Sequence, residues 1–146
     1  MPSKTLILMR HGDAEEASSD HGRPLSARGR RQCLDVGTQL RAASIAVDHV
    51  LCSSAVRAVQ SAQLVLQALG SARAIEPDAT LYLASPQRYV QALREAPAEP
   101  ATILLVAHNP GLSQLASAIA DRHVGLSTAG YDISHHAIER WAELFR

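Results

Sequence analysis

Three short apolar runs punctuate an otherwise mixed chain: Leu6 to Met9, Val47 to Cys52, and Ile103 to Ala107. Each is flanked by polar residues, and each has the length of a strand buried on both faces. A stretch with helical spacing follows each run. Ser26 predicts the cap of a helix running to about Ala43. Ser53 or Ser54 predicts the cap of one reaching Leu69, with Val56, Val59, Leu66 and Leu69 near one face. Asn109-Pro110 reads as the N-cap and first position of a helix through about Ala120. Between the second and third units, Ser85-Pro86 opens a helix reaching about Ala96. Strands alternating with helices predict an α/β fold, a mostly parallel sheet with helices on both faces. Tyr131 to Ile133 reads as one more strand, and Ile138, Trp141, Ala142 and Phe145 fit one face of a last helix. No repeat or linker interrupts the pattern, so residues 1–146 are read as a single domain.

Composition narrows the partners more than the fold. The chain has 146 residues, 47% hydrophobic and 19% charged, ordinary for a globular protein with a real core. Aromatics are only 3%, which leaves Leu, Val, Ile and Ala to fill the interior. The formal net charge is zero. That argues against nucleic acid or an anionic membrane as partner, while allowing a local positive site. Two cysteines, Cys33 and Cys52, make no disulfide framework, and a reducing compartment is the default. Four consecutive apolar residues near the N-terminus are too few for a signal-peptide core, and no run suits a membrane span. The expected location is the cytoplasm.

The chemistry lies at the ends of the runs. In open parallel sheets, ligands bind beyond the carboxyl ends of the strands. The first run delivers Arg10, His11 and Gly12; the second delivers Ser53 and Ser54 with Arg57 a turn into the helix; the third delivers His108 and Asn109. Arg57 in a first helical turn faces the positive end of the macrodipole, a placement that an anion would relieve. A helix start beside His108 offers free backbone N–H groups to the same anion. Arginine suits phosphate because its planar fork donates two hydrogen bonds at once. The set describes a pocket for a tetrahedral oxyanion. A metal is not expected, since no H-E-x-x-H or paired-Cys pattern occurs and the arginines repel a dication. His135-His136 reads as a solvated stretch, and His49 and His123 as ordinary histidines.

The segments LMRHGDAE (8–15), RPLSARGRRQ (23–32), CSSAVRAVQSA (52–62) and VAHNPGL (106–112) resemble the histidine phosphatase superfamily. The short length and the Arg-Pro-Leu-Ser segment are most similar to its small SixA-type branch, the protein phosphohistidine phosphatases. The resemblance implies a three-layer, phosphoglycerate mutase-like fold with neither metal nor cofactor. It implies that His11 is the nucleophile, phosphorylated during turnover. It also implies that Arg10, Arg57 and His108 form the phosphate pocket, joined by Arg23. Gly12 would let the chain pass close to the phosphate, and Asn109 would contribute from its helix start. Larger members carry a glutamate general acid that no pattern around Glu76, Glu95 or Glu99 matches. Of the loop carboxylates Asp13, Glu15 and Asp20, the expected donor is Asp20, three residues before Arg23. The implied activity is removal of phosphate from a phosphohistidine-bearing protein of a phosphotransfer or phosphorelay system, in signal transduction. The alternatives are a phosphatase for a small phosphorylated metabolite, which would need a lid, and a non-catalytic module that binds phospho-proteins.

Overall fold

Along Lys4–Arg10 the side chains alternate between two interiors, and this alternation organises the molecule. The computed structural model describes residues 2–146. In chain order the elements are β1 (Lys4–Arg10), α1 (Ala27–Ala42), β2 (His49–Ser53), α2 (Val56–Leu69), β3 (Pro77–Asp78), α3 (Pro86–Arg94), β4 (Thr102–Ala107), α4 (Gly111–Ala120) and β5 (Tyr131–His136). Single turns of 3-10 helix lie at Ala79–Leu81 and Trp141–Glu143. The strands form one sheet in the order β3-β2-β4-β1-β5. All neighbours are parallel except β5, which runs antiparallel to β1.

Ile7 and Met9 of β1, with Leu104 and Val106 of β4, face Cys33, Val36 and Leu40 of α1 and Val65 and Leu66 of α2. Leu6 and Leu8, with Ile103 and Leu105, face Tyr89 and Leu93 of α3, Leu112 and Leu115 of α4, and Trp141. A strand buried on both faces must be apolar at every position, which is why Leu6 to Met9 and Ile103 to Ala107 read as continuous rather than alternating. Burial of one such side chain is worth about 1.5–3 kcal/mol. The parallel register pairs Arg10 with Ala107, so the next residues, His11 and His108, leave adjacent strands side by side.

Several boundaries differ from the sequence expectations. Ala55 is the N-cap of α2 and gives it no side-chain cap. Ser53 and Ser54 are engaged elsewhere: their hydroxyls meet the rings of His108 at 2.7 Å and His21 at 2.9 Å. Helix α4 begins at Gly111 with Pro110 as N-cap. Asn109 still serves it, because its Oδ1 accepts from the Ser113 backbone N–H at 3.0 Å. α3 stops at Arg94, short of Ala96, and β2 starts at His49, leaving Val47 buried before the strand. β5 runs on to His136, so the paired histidines lie on an edge strand, bonded to Thr5 and Ser134. The last segment is a 3-10 turn rather than a helix: Trp141 and Leu144 are buried, and Phe145 is exposed. Trp141 Nε1 donates to Pro100 O at 2.8 Å, which fixes the turn by one anchor instead of a helical face. No described helix is long and apolar enough to cross a membrane.

Candidate active site

His11 is the first residue past β1. Its backbone remains tied to the sheet, with the N–H on Ala107 O at 3.2 Å and the carbonyl accepting from Ala129 N at 2.8 Å. The ring Nδ1 lies 2.8 Å from Gly12 O. A carbonyl can only accept, so Nδ1 carries the proton and Nε2 keeps its lone pair. Arg57 Nε donates toward that lone pair at 3.3 Å. The Gly12 N–H donates to Ser61 Oγ at 2.9 Å, and that hydroxyl donates to Arg57 O at 2.6 Å. Ser61 therefore ties the turn after His11 to the helix that carries Arg57. A Cβ on Gly12 would stand 2.8 Å from Gly29 O and 2.9 Å from Cys33 Sγ, so only glycine lets α1 lie this close.

His108 is the first residue past β4, almost fully buried at 1% exposure. Its ring centre is 5.2 Å from that of His11. Nε2 lies 2.7 Å from Ser53 Oγ, and Nδ1 lies 3.5 Å from Arg57 Nη2. A guanidinium only donates, so Nδ1 is the lone-pair nitrogen here and Nε2 donates to the serine. Both rings are held neutral at pH 7. Burial, and then the charges of Arg57, Arg10 and Arg23, push His11 from the ordinary 6.5 down to about 4. Burial, then His11 and Arg57, push His108 down to about 3.

Arg57, buried in the first turn of α2, donates through Nη1 to Asp20 O at 2.7 Å and through Nη2 to Asp20 Oδ2 at 3.1 Å. The anion that its position at a helix start calls for is thus partly the protein's own. Asp20 also pairs with Arg23 Nη1 at 3.3 Å. Arg23 is steadied by the carbonyls of Glu15 and Ala14. Burial lowers the pKa of Arg10, with Arg57 adding to it. Its Nη1 donates to Leu126 O at 3.3 Å, while its buried Nε has no hydrogen-bond partner among the described residues.

His11, His108, Arg57, Arg23 and Asp20 are brought together as expected from the sequence, with Arg10 near enough to act on His11 by its charge. Two expectations change. The Asn109 side chain is committed at both ends, Oδ1 to Ser113 and Nδ2 to Leu126 O at 2.7 Å, so it braces the wall of the site instead of facing it. Asp20 is held ionised, near 2, chiefly by the Tyr82 hydroxyl and then by Arg57. That runs against Asp20 as the proton donor. Asp13 caps nothing in the site; its carboxylate accepts from Ser26. Sequence reasoning missed Tyr82, Ser61 and the role of Ser53. Tyr82 follows the 3-10 turn at Ala79–Leu81, and no local sequence signal marks it. Among the described residues, no group of three or more His, Cys, Asp or Glu side chains is arranged to hold a metal ion.

The model of the histidine phosphatase superfamily (branch 1) matches residues 6–82. The chain belongs to the histidine phosphatase superfamily. Membership, together with the SixA structures the chain superposes on, supports phosphatase activity. It is 36% identical over 114 residues to an uncharacterized Mycobacterium tuberculosis protein, Rv1276c, covering 77% of this chain and 70% of that one. A structure of a candidate phosphohistidine phosphatase, SixA, from Nakamurella multipartitia superposes with a TM-score of 0.80 at 29% identity, covering 97% of this chain and 89% of that one. A protein histidine phosphatase SixA complexed with tungstate superposes with a TM-score of 0.78 at 25% identity, covering 86% and 83%. Within the superfamily, this chain is of the SixA type. The family model stops before β4, so the placement of His108 rests on the fold.

Proposed function

We propose that this SixA-type phosphatase removes phosphate from phosphohistidine in a protein, through a phospho-His11 intermediate, without a metal and in the cytoplasm. The observation that carries the proposal is the tautomer of His11: Nδ1–H on Gly12 O, with Nε2 turned toward Arg57. Nε2 attacks phosphorus as the phosphorus–nitrogen bond to the substrate imidazole breaks, and that imidazole takes up a proton from solvent water. Water then attacks phospho-His11, releasing inorganic phosphate and restoring the neutral ring. Arg10, Arg57 and Arg23 supply the positive charge that the equatorial oxygens need in the transition state. A phosphoryl dianion beside His108 raises that ring's proton affinity, so Nδ1 can gain a proton and donate to an oxygen.

Two observations favour a protein-borne phosphohistidine over a small metabolite. Between the end of α2 and Ser85 the chain forms only β3 and one 3-10 turn, with no helix inserted as a lid. The site's ion-paired carboxylate, Asp20, is held ionised, which suits a leaving group that needs little help from an enzyme acid. The test compares phosphate release from phosphohistidine proteins and from phosphorylated metabolites after exhaustive chelation. The expected result is faster release from the proteins, with activity intact. Preference for a metabolite, or rescue only by a divalent ion, would reverse the reading. Brief incubation with labelled substrate and a quench in base should leave acid-labile label on His11.

A further inference from the structure

Tyr82 is the side chain at the site that neither the phosphate pocket nor the nucleophile accounts for. Its ring meets His108 edge-on at 5.4 Å between centres and His21 at 4.9 Å. The Arg57 guanidinium carbon lies 6.0 Å from its centre. Its hydroxyl donates to Asp20 Oδ2, the same oxygen that accepts from Arg57 Nη2.

The donors of Arg57 are divided between two sets of partners. Nη1 and Nη2 meet Asp20, through its backbone carbonyl and its carboxylate. Nε and the second contact of Nη2 meet the lone-pair nitrogens of His11 and His108. Asp20 thus grips the far end of the guanidinium and leaves the other edge presented between the two imidazoles, where phosphoryl oxygens must bind. The grip comes from an exposed, irregular loop, with the Asp20 side chain 48% accessible. Such a carboxylate keeps one position only if something fixes it, and besides Arg57 itself Tyr82 and Arg23 bond it.

We infer that Tyr82 is a positioning residue for this reaction, holding Asp20 against the end of Arg57 so that the guanidinium edge between the two imidazoles stays aimed at the transferring phosphoryl group. This rests on the phosphate-pocket reading above. It gives Asp20 the same task and takes proton donation from it. A positioning role affects every leaving group alike, whereas a proton donor matters most for the poorest one.

The experiment measures kcat and KM for Y82F, D20N, D20A, Y82F/D20A and R57A on three substrates: a phosphoramidate, an aryl phosphate and an alkyl phosphate. Y82F is expected to lower kcat by about three- to tenfold with little change in KM, equally on all three. D20A should lose more, and D20N should recover much of that loss, because an amide oxygen still accepts from Arg57. The double variant should be no slower than D20A, since both act through one contact. Wild-type kcat in Y82F, additive losses in the double variant, or a loss in D20N concentrated on the alkyl phosphate would overturn the inference while R57A remains impaired. A fully active R57A would overturn the pocket reading, and the inference with it.

Discussion

The active site has a floor and a rim, and the two are built differently. The floor is His11 and His108, each the first residue past a central strand, 8% and 1% exposed. Six consecutive register pairs between β1 and β4 fix their separation. The rim is the loop carrying Asp20 and Arg23, together with Tyr82 after the 3-10 turn. No ladder reaches Asp20, Arg23 or Tyr82; bonds from individual side chains hold them. Arg57 joins the two regions, with Nε on the floor and Nη1 on the rim. On the proposed mechanism, the difference places the covalent chemistry where a ladder holds the backbone, and charge alignment where a loop can adjust.

The comparison is broken most severely at the floor. H11A should lose activity by about ten thousandfold or more, as expected when a covalent nucleophile is removed. Label trapping read by mass spectrometry checks it: H11A should trap none, while H108A, though slower, should still trap label on His11. Next comes Arg57. R57A should lower kcat/KM by about a hundred- to a thousandfold, and R57K should recover little of it, because lysine lacks the fork. A near-normal R57K would remove the two-sided role given to this side chain.

A pH series sharpens the same contrast. In the proposed mechanism the neutral imidazole attacks, and His11 is lowered from 6.5 to about 4. With an acid-stable aryl phosphate, kcat/KM should be flat from pH 8 to 5 once corrected for substrate ionisation. Below 4 it should fall by about tenfold per pH unit as the ring protonates. The stability consequence has the same sign. Between pH 6.5 and 4 the unfolded imidazole takes up a proton that the native one refuses, so stability drops as pH falls through this window. The smallest effect belongs to the rim. Arg23 is partly solvated, and R23A should cost about tenfold or less in kcat/KM, an effect that added salt shrinks.

The floor was legible in the sequence because burial on two faces leaves a pattern. Leu6 to Met9 and Ile103 to Ala107 are apolar at every position, and a charged or imidazole side chain next to such a run marks a strand end. The rim was legible only in part. Arg23 and Asp20 came from a resemblance, and their mutual ion pair needed the loop's path. Tyr82 was invisible because its partners are distant in sequence: the bond to Asp20 spans 62 positions, with no periodicity to announce it. Ser53 and Ser54 show the opposite failure. Local capping logic read them correctly as hydroxyls at a helix start, but two histidines from elsewhere in the fold claimed them. Asn109 was assigned to the anion by its place at a helix start, and its side chain instead braces the Leu126 turn.

The parallel β1–β4 ladder has a consequence for how the protein comes into being. During synthesis, residues 6–82 emerge with Arg10, His11, Arg23 and Arg57 already present, yet β2 has no β4 to lie against and β1 has no central neighbour. The two imidazoles, separated by about a hundred residues of chain, come together only through a late, non-local pairing, the slow kind of step in folding. No nascent fragment that stops short of Ala107 can assemble the pair. Catalytic competence should therefore appear abruptly, in one step with the closing of the sheet.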